Sequence, residues 1–354
     1  MKEFKKIGVL TSGGDAPGMN AAVRAVTRAA LAHGVEVVAI NRGYSGLIAK
    51  DVKELSVRDV SNILNRGGTV LFSDRCPEFK TEEGMQKAIA SCRELNINGI
   101  IAIGGDGTFR GATDLTVRGI PCIGIPGTID NDITSTENTI GFDTAMNTTL
   151  NMIDCLRDTC ESHARCNVVE VMGRNAGDLA AYTALASGAT AVVIAELPFD
   201  EEKLITKIRT SRALGKRNFI VVVSEGMGTE FAPALTERIE KETGVEARFA
   251  RFAHVVRGGT PTLRDRMLAT RMGEYAVERL LDGKSNIVIC EKGGDLTYTE
   301  IGFALIVDRM YKNTLKEGDL DAFTAEQVEE MKAICAKKKA LITSLAASVD
   351  TLGL

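Results

Sequence analysis

The chain has 354 residues, of which 44% are apolar and 25% charged, and its formal net charge is −4. That length holds one large core or two smaller ones, with the ordinary composition of a soluble globular protein. The near-neutral balance excludes a global basic field for nucleic acid, and no apolar run reaches the roughly 18 residues that cross a bilayer.

The opening MKEFKKIGVL is basic and then apolar, faintly in the manner of a signal peptide, but glycines and Asp15 interrupt it before any cleavage site. Residues 7–10 read instead as a first buried strand. Further short β-branched or apolar runs predict strands at 35–40, 99–103, 122–125, 168–171, 191–195, 219–223 and 286–290. Helical patterns lie between them, among them 19–33, 144–160, 179–186 and 264–281. The alternation predicts an α/β fold with mainly parallel sheets and helices on both faces, where sites sit at the carboxyl ends of strands. A boundary near 140 suits the glycine-rich loops concentrated before it. The Lys- and Ala-rich stretch 326–354 reads as a packing or interface helix with no chemistry in it. None of the eight cysteines (Cys76, Cys92, Cys122, Cys155, Cys160, Cys166, Cys290, Cys335) forms a CxxC pair. Reduced, buried thiols of a cytoplasmic protein are expected, rather than zinc ligands or a disulfide framework.

Three strand-end turns carry the unusual residues. The first, Thr11-Ser12-Gly13-Gly14-Asp15-Ala16-Pro17-Gly18, lets backbone N–H groups approach a phosphate at a helix start; it equally fits a tight strand–helix turn. A dinucleotide fold wants GxGxxG and an acid ending the second strand, whereas this chain has GGxxxG and Ile40-Asn41-Arg42. NAD is disfavoured. In the second turn, Gly104-Gly105-Asp106-Gly107-Thr108, glycines around one carboxylate leave room for a polyphosphate, with Mg²⁺ held by Asp106 directly or through water. The alternative there is an aspartate capping the next helix. The third turn, Pro126-Gly127-Thr128-Ile129-Asp130-Asn131-Asp132, places two carboxylates two residues apart. One suits a base toward a hydroxyl while the other organises metal or arginine.

Together GVLTSGGDAPGMN, GGDGT, PGTIDND, TIGFDTA and VVEVMGR, in this order, resemble the bacterial 6-phosphofructokinase family, from about residue 7 to at least 305. The resemblance implies two similar Rossmann-like domains with the active site in the cleft between them. It assigns 1–141 plus about 257–306 to ATP, 142–256 plus about 307–325 to fructose 6-phosphate, and 326–354 to a C-terminal helical extension. Gly14, Tyr44, Arg75, Cys76, Gly105, Asp106, Gly107 and Thr108 would line the ATP site, Asp106 serving Mg²⁺. Asp130 matches the acceptor of the sugar 1-hydroxyl proton, Thr128 contacts the same end of the sugar, and Arg174 matches the arginine that stabilises the transferred phosphoryl. Met172 and Gly173 would line the sugar pocket, and Glu225 would bond its hydroxyls. Arg165, Arg248, His254 and Arg257 match the clamp on the 6-phosphate. Arg165 and Arg248 would reach in from a neighbouring subunit of a homotetramer. Outside these motifs, the same arginines read as surface charges, Glu225 as a paired acid and His254 as a core histidine.

Pyrophosphate-dependent relatives commonly carry aspartate after GGD and lysine before TIDND; Gly107 and Gly127 stand there in this chain, which favours ATP. Regulated members have a basic pocket between subunits for ADP or phosphoenolpyruvate, matched by Arg24, Arg28, Arg157 and Lys216. Asp51 replaces its usual arginine, Thr190 a glutamate, Leu214 a lysine and Asn218 a histidine. Reversing a charge in an anion pocket predicts weak or absent effector responses. A non-catalytic nucleotide- or sugar-phosphate-binding subunit is the competing class; such a chain would be free to lose Asp130, Asp106 or Arg174, and all three are present.

Overall fold

The structure is a computed structural model and describes residues 4–353. In chain order, β1 (Lys6–Ser12), α1 (Met19–Ala32), β2 (Glu36–Ile40), α2 (Gly43–Ala49), β3 (Val52–Leu55), α3 (Glu82–Glu94), β4 (Gly99–Gly104), α4 (Asp106–Val117) and β5 (Cys122–Pro126) come first. Next are α5 (Phe142–His163), β6 (Cys166–Val171), α6 (Asp178–Ala186), β7 (Ala191–Val193), α7 (Glu201–Ala213), β8 (Phe219–Ser224), α8 (Phe231–Thr243) and β9 (Ala247–Arg251). The chain continues through α9 (Leu263–Leu281), β10 (Ile287–Lys292), β11 (Asp295–Glu300), α10 (Ile301–Tyr311) and α11 (Ala325–Leu352).

Two compact units emerge. The first takes the chain up to Ile129, then Ile133–Thr144 and Arg257–Lys332. Its seven strands run β11-β10-β5-β4-β1-β2-β3, parallel except for β11 and β3 at the two edges. Leu10, Ile40, Ile100, Phe109, Leu115 and Val288 lie in its core. Helices α1 and α9 approach closely at Gly273, where a Cβ would stand 2.7 Å from that of Ala25. The second unit takes Asp130–Asp132, Ala145–Val256 and the chain from Ala333 onward. Its sheet is β7-β8-β6-β9, all parallel, with Val168, Phe219, Val221, Ile205 and Leu235 in the core.

Each predicted strand is present, within a few residues. The three that sequence reading passed over, β3 (VKEL), β9 (ARFAR) and β11 (DLTYTE), are all edge strands. An edge strand meets water along one side, and charged or polar residues there discourage further pairing. Residues 307–325 fall in the first unit, not the second as the sequence assignment has them, because α10 packs on α4, β10 and β11. The C-terminal extension is one helix, and residues 333 onward belong to the second unit. All eight cysteines are free thiols; five are buried, Cys76 and Cys335 are half-buried, and Cys155 is exposed, against the expectation of burial throughout. Among the described residues no helix is long and apolar enough to cross a membrane.

The start of α5 is satisfied from a distant point of the chain. Asp265, near the start of α9 and 1% exposed, accepts the N–H groups of Gly141 (2.8 Å) and Thr144 (2.7 Å) and the Thr144 hydroxyl (2.5 Å). It thus receives donors that a helix start cannot satisfy within itself. Burial pushes the Asp265 carboxyl from its ordinary 3.8 up to about 6, and the three donors offset this only in part. Between those values the folded chain keeps a proton that the unfolded chain releases. The associated stability is full below 3.8, falls as the pH rises, and is gone above about 6. Denaturation of the wild type and Asp265→Asn across this range should show the wild-type advantage shrinking from pH 4 to 6 and level above it. A difference constant with pH would mean an unshifted carboxyl.

Candidate functional site

In the first unit the ends of β1, β4 and β5 lie side by side, Ser12 opposite Gly104 and Gly104 opposite Pro126. The turns that follow are joined across the sheet: the Thr108 hydroxyl donates to the Ser12 carbonyl (3.0 Å), and the Gly127 N–H donates to the Gly104 carbonyl (3.0 Å). Gly13 has a left-handed φ of 89°. Its carbonyl accepts from the Ser73 hydroxyl (2.5 Å), which brings the 72–76 segment, with exposed Arg75 and half-buried Cys76, against the first turn. Phe72, 64% exposed at a left-handed φ of 56°, belongs to the same segment and was not singled out in the sequence. A large exposed aromatic held in that backbone state by the Thr11 hydroxyl (2.7 Å to its carbonyl) is the signal that only the structure provides.

Tyr44, expected to line this region, is only 4% exposed and stacks on Phe79 with ring centroids 4.0 Å apart. Its phenol donates to the Thr108 carbonyl (2.6 Å), so it acts on the turn from beneath. Burial pushes that phenol well above its ordinary range and keeps it a donor. Arg257 lies against the first turn, donating to the Asp15 carbonyl (3.3 Å), with Nη1 2.9 Å from where a Gly14 Cβ would stand. Thr128, 8% exposed, bonds through its own backbone to Ile140 and Thr139.

Asp106 opens α4 and pairs with Arg110 one turn on, at 2.9 Å. A Cβ at Gly105 or Gly107 would meet nothing within 4 Å, so the carboxylate stands between two open positions. Among the described residues no cluster of three or more His, Cys, Asp or Glu is built to hold a metal ion. A single partly exposed carboxylate beside open space fits Mg²⁺, which takes few protein ligands and most of the rest from phosphate and water. Arg110 already pairs with this carboxylate, and a metal there would have to compete with it.

The two glycines behind the choice of donor differ. Gly107 faces open space, whereas a Cβ at Gly127 would stand 3.1 Å from both Ile103 Cγ2 and Met19 Cε. A side chain at 127 disturbs the core of the sheet; one at 107 reaches only into the space above the turn.

In the second unit Asp130, its side chain 4% exposed, stands 3.7 Å from Nε of Arg174, which is 56% exposed. Arg174 follows β6 in a loop where two successive residues have positive φ, Gly173 at 137° and Arg174 at 54°. A Cβ on Gly173 would meet the Ala176 carbonyl at 2.5 Å, so only glycine fits. Oε1 of Glu225 accepts both N–H groups of this loop, Gly173 at 3.0 Å and Arg174 at 2.6 Å. Glu225 was expected on the sugar hydroxyls; in the structure one of its oxygens holds the arginine loop. Arg174 and Glu225, with Met172, Asn175, Glu170, Arg251 and His254, line a cavity of about 680 Å³. His254 is exposed, which rules out a packed core histidine. Arg251, missed in the sequence, pairs with Glu170 at 2.6 Å across β6 and β9.

Arg165 and Arg248 are elsewhere. Arg165 precedes β6 while Met172 follows it, and both arginines gather on Glu246, Arg165 at 2.8 Å. The structure therefore does not bring them to the cavity that Arg174 and His254 share.

Of the residues matched to an effector pocket, Arg24 and Arg28 are half-buried on α1, and Asp51 pairs with Arg42 at 3.1 Å. In the second unit Arg157 donates to Asn218 (2.7 Å) and to the Ser187 carbonyl, and Lys216 donates to the Gly353 carbonyl (2.9 Å). Lys207 reaches the carbonyls of Thr190 (2.9 Å) and Asp350 (2.7 Å). The end of α11 thus sits on the basic groups of a cavity of about 690 Å³ that Leu214 also lines.

A family model described as Phosphofructokinase matches residues 6–280. The ATP-dependent 6-phosphofructokinase of Bacillus subtilis is 52% identical over 283 residues, 79% of this chain and 88% of its own length. ATP-dependent 6-phosphofructokinase 1 of Clostridium perfringens is 50% identical over 314 residues, covering 89% and 98%. Among solved structures, phosphofructokinase from Saccharomyces cerevisiae matches 93% of this chain with a TM-score of 0.83 and 30% identity; this chain spans 50% of the yeast one. Pyrophosphate-dependent phosphofructokinase from Marinobacter aquaeolei matches 84% with a TM-score of 0.73 and 25% identity. Alike in sequence to the bacterial enzymes along most of its length, the chain belongs to the phosphofructokinase family.

Proposed function

We infer that the chain is an ATP-dependent 6-phosphofructokinase, moving the γ-phosphoryl group of ATP onto the 1-hydroxyl of fructose 6-phosphate. The observation that carries the mechanism is the Asp130 carboxylate facing the Arg174 guanidinium at 3.7 Å. Asp130 takes the proton of the 1-hydroxyl as its oxygen attacks phosphorus, and Arg174 stabilises charge on the transferring oxygens. Glu225 keeps the arginine in place through two backbone amides and presents its second oxygen to the sugar. His254, on the rim of the same cavity, meets the sugar phosphate. The glycine turns after β1 and β4 receive the nucleotide phosphates, and the flat face of Phe72 offers a surface for the base. Asp106 would hold Mg²⁺, which would supply positive charge to offset that of the phosphates. The reading places the enzyme in the cytoplasm, where its eight free thiols stay reduced.

Removing the base should lower kcat by about 10²–10⁴ in Asp130→Asn. Removing the charge stabiliser should lower it by on the order of 10³ or more in Arg174→Ala. A coupled assay with ATP and fructose 6-phosphate measures both; wild-type turnover in either would end this assignment.

Arg165 and Arg248 lie across the length of β6 from the cavity, about 20 Å for six residues. The reading therefore has them serve a neighbouring copy in a homotetramer. Mixed oligomers of Asp130→Asn and Arg248→Ala chains should recover activity that neither parent has, because some sites then draw both intact residues from different subunits. Additive, uncomplemented rates would place each site within one chain.

The regulatory pocket of this reading has lost an arginine at Asp51 and has its Lys216 bonded to the chain's own Gly353 carbonyl. Fructose 6-phosphate saturation curves should superimpose with and without ADP. A marked leftward shift with ADP contradicts a silent pocket.

A further inference from the structure

Helix α11 carries one side chain out of keeping with its position. Met331, Cys335, Ile342, Leu345 and Val349 recur at three- and four-residue spacing and are buried or half-buried. Lys338 falls in the same register, and its side chain is only 12% exposed. A lysine is rarely placed there unless its charge is matched.

The match is a three-way contact within the second unit. Lys338 Nζ donates to the backbone carbonyl of Asn131 at 2.6 Å and stands 3.3 Å from Oδ1 of Asp178, a carboxylate 4% exposed. The same Asp178 oxygen accepts the side-chain amide of Asn131 at 3.1 Å. Asn131 is thereby held by its main chain and its side chain together, at a left-handed φ of 49°. It directly follows Asp130. Asp178 opens α6 and ends the stretch that begins at Arg174. The contact therefore ties the loop carrying the carboxylate to the loop carrying the guanidinium.

We propose that Lys338 is a positioning residue for phosphoryl transfer: through Asn131 and Asp178 it fixes Asp130 and Arg174 relative to each other. The proposal rests on the reading of Asp130 as the base. A buried ammonium and a buried carboxylate each depend on the other, so loss of Lys338 leaves Asp178 uncompensated beneath the loop. Asn131 then loses the tether on its main-chain carbonyl, and Asp130 is aimed less narrowly. Misplacing a catalytic group by an ångström costs on the order of 100-fold in rate, which sets the scale of the effect.

Four variants of the full chain test this: Lys338→Met, Asp178→Asn, the double variant, and Lys339→Met on the exposed side of α11 as a control. Lys338→Met should lower kcat about 10- to 100-fold while leaving the KM for ATP near wild type. Asp178→Asn should act in the same direction. The double variant should be little worse than the more damaged single one, as expected for residues in one network. Melting temperatures of the variants separate this from general loss of fold. Should Lys338→Met not fold, Asp178→Asn carries the same reading of kcat against KM. The proposal is overturned if the folded Lys338→Met matches Lys339→Met in kcat, or if Asp178→Asn keeps wild-type turnover. An inactive Asp130→Asn beside a fully active Lys338→Met would remove the positioning role alone, whereas an active Asp130→Asn would remove the base assignment and this proposal with it.

Discussion

Loops that carry chemistry leave the sheet, and their backbone amides leave the ladder with them. Buried N–H groups without partners are costly, so something else has to receive them. In this chain carboxylates from distant segments do so repeatedly. Asp265 receives Gly141 and Thr144, Glu225 receives Gly173 and Arg174, Glu196 receives Gly177 (2.7 Å), and Asp308 receives Thr134 (2.6 Å). Each acceptor is far away in sequence and close to one of the turns that hold the candidate residues. The turns are therefore set by acceptors outside them as much as by their own glycines.

This pattern explains what could be read in the sequence and what could not. Buried parallel strands appear as short apolar runs, and the turns after β1, β4 and β5 are written as glycine motifs, so the central sheet and the Asp130 turn were legible. The edge strands β3, β9 and β11 were not, because one side of each faces water and its composition is that of a loop; β7, an edge strand of apolar AVV, was. Nor was Lys338, hidden among three consecutive lysines; only its register with Met331, Ile342 and Val349 marks it. Glu225 was found by family likeness, but its hold on the arginine loop depends on a contact across 51 residues that no local pattern encodes. Residues 307–325 were misassigned for the same reason: α10 joins the first unit through packing partners that the segment itself does not reveal.

The donor question divides along similar lines. In sequence, Gly107 and Gly127 look like equivalent tokens of ATP use. In the structure they are unlike. Gly127 is confined by Ile103 and Met19, and its small size serves the sheet as well as any ligand. Gly107 has no such neighbours, so its missing side chain matters only to whatever occupies the space above the turn. Gly107 is the cleaner indicator of a nucleotide with bulk beyond two phosphates.

Arg174 keeps a backbone conformation that an arginine adopts at a loss of roughly 1–2 kcal/mol, and that glycine or asparagine adopts more readily. Its guanidinium, more than half exposed, contributes little to cohesion in return. On the proposed reading, robustness and turnover pull in opposite directions at this position: a laboratory selection for heat resistance alone would drift toward the smaller residues and discard the guanidinium assigned to charge stabilisation, without any visible loss of fold.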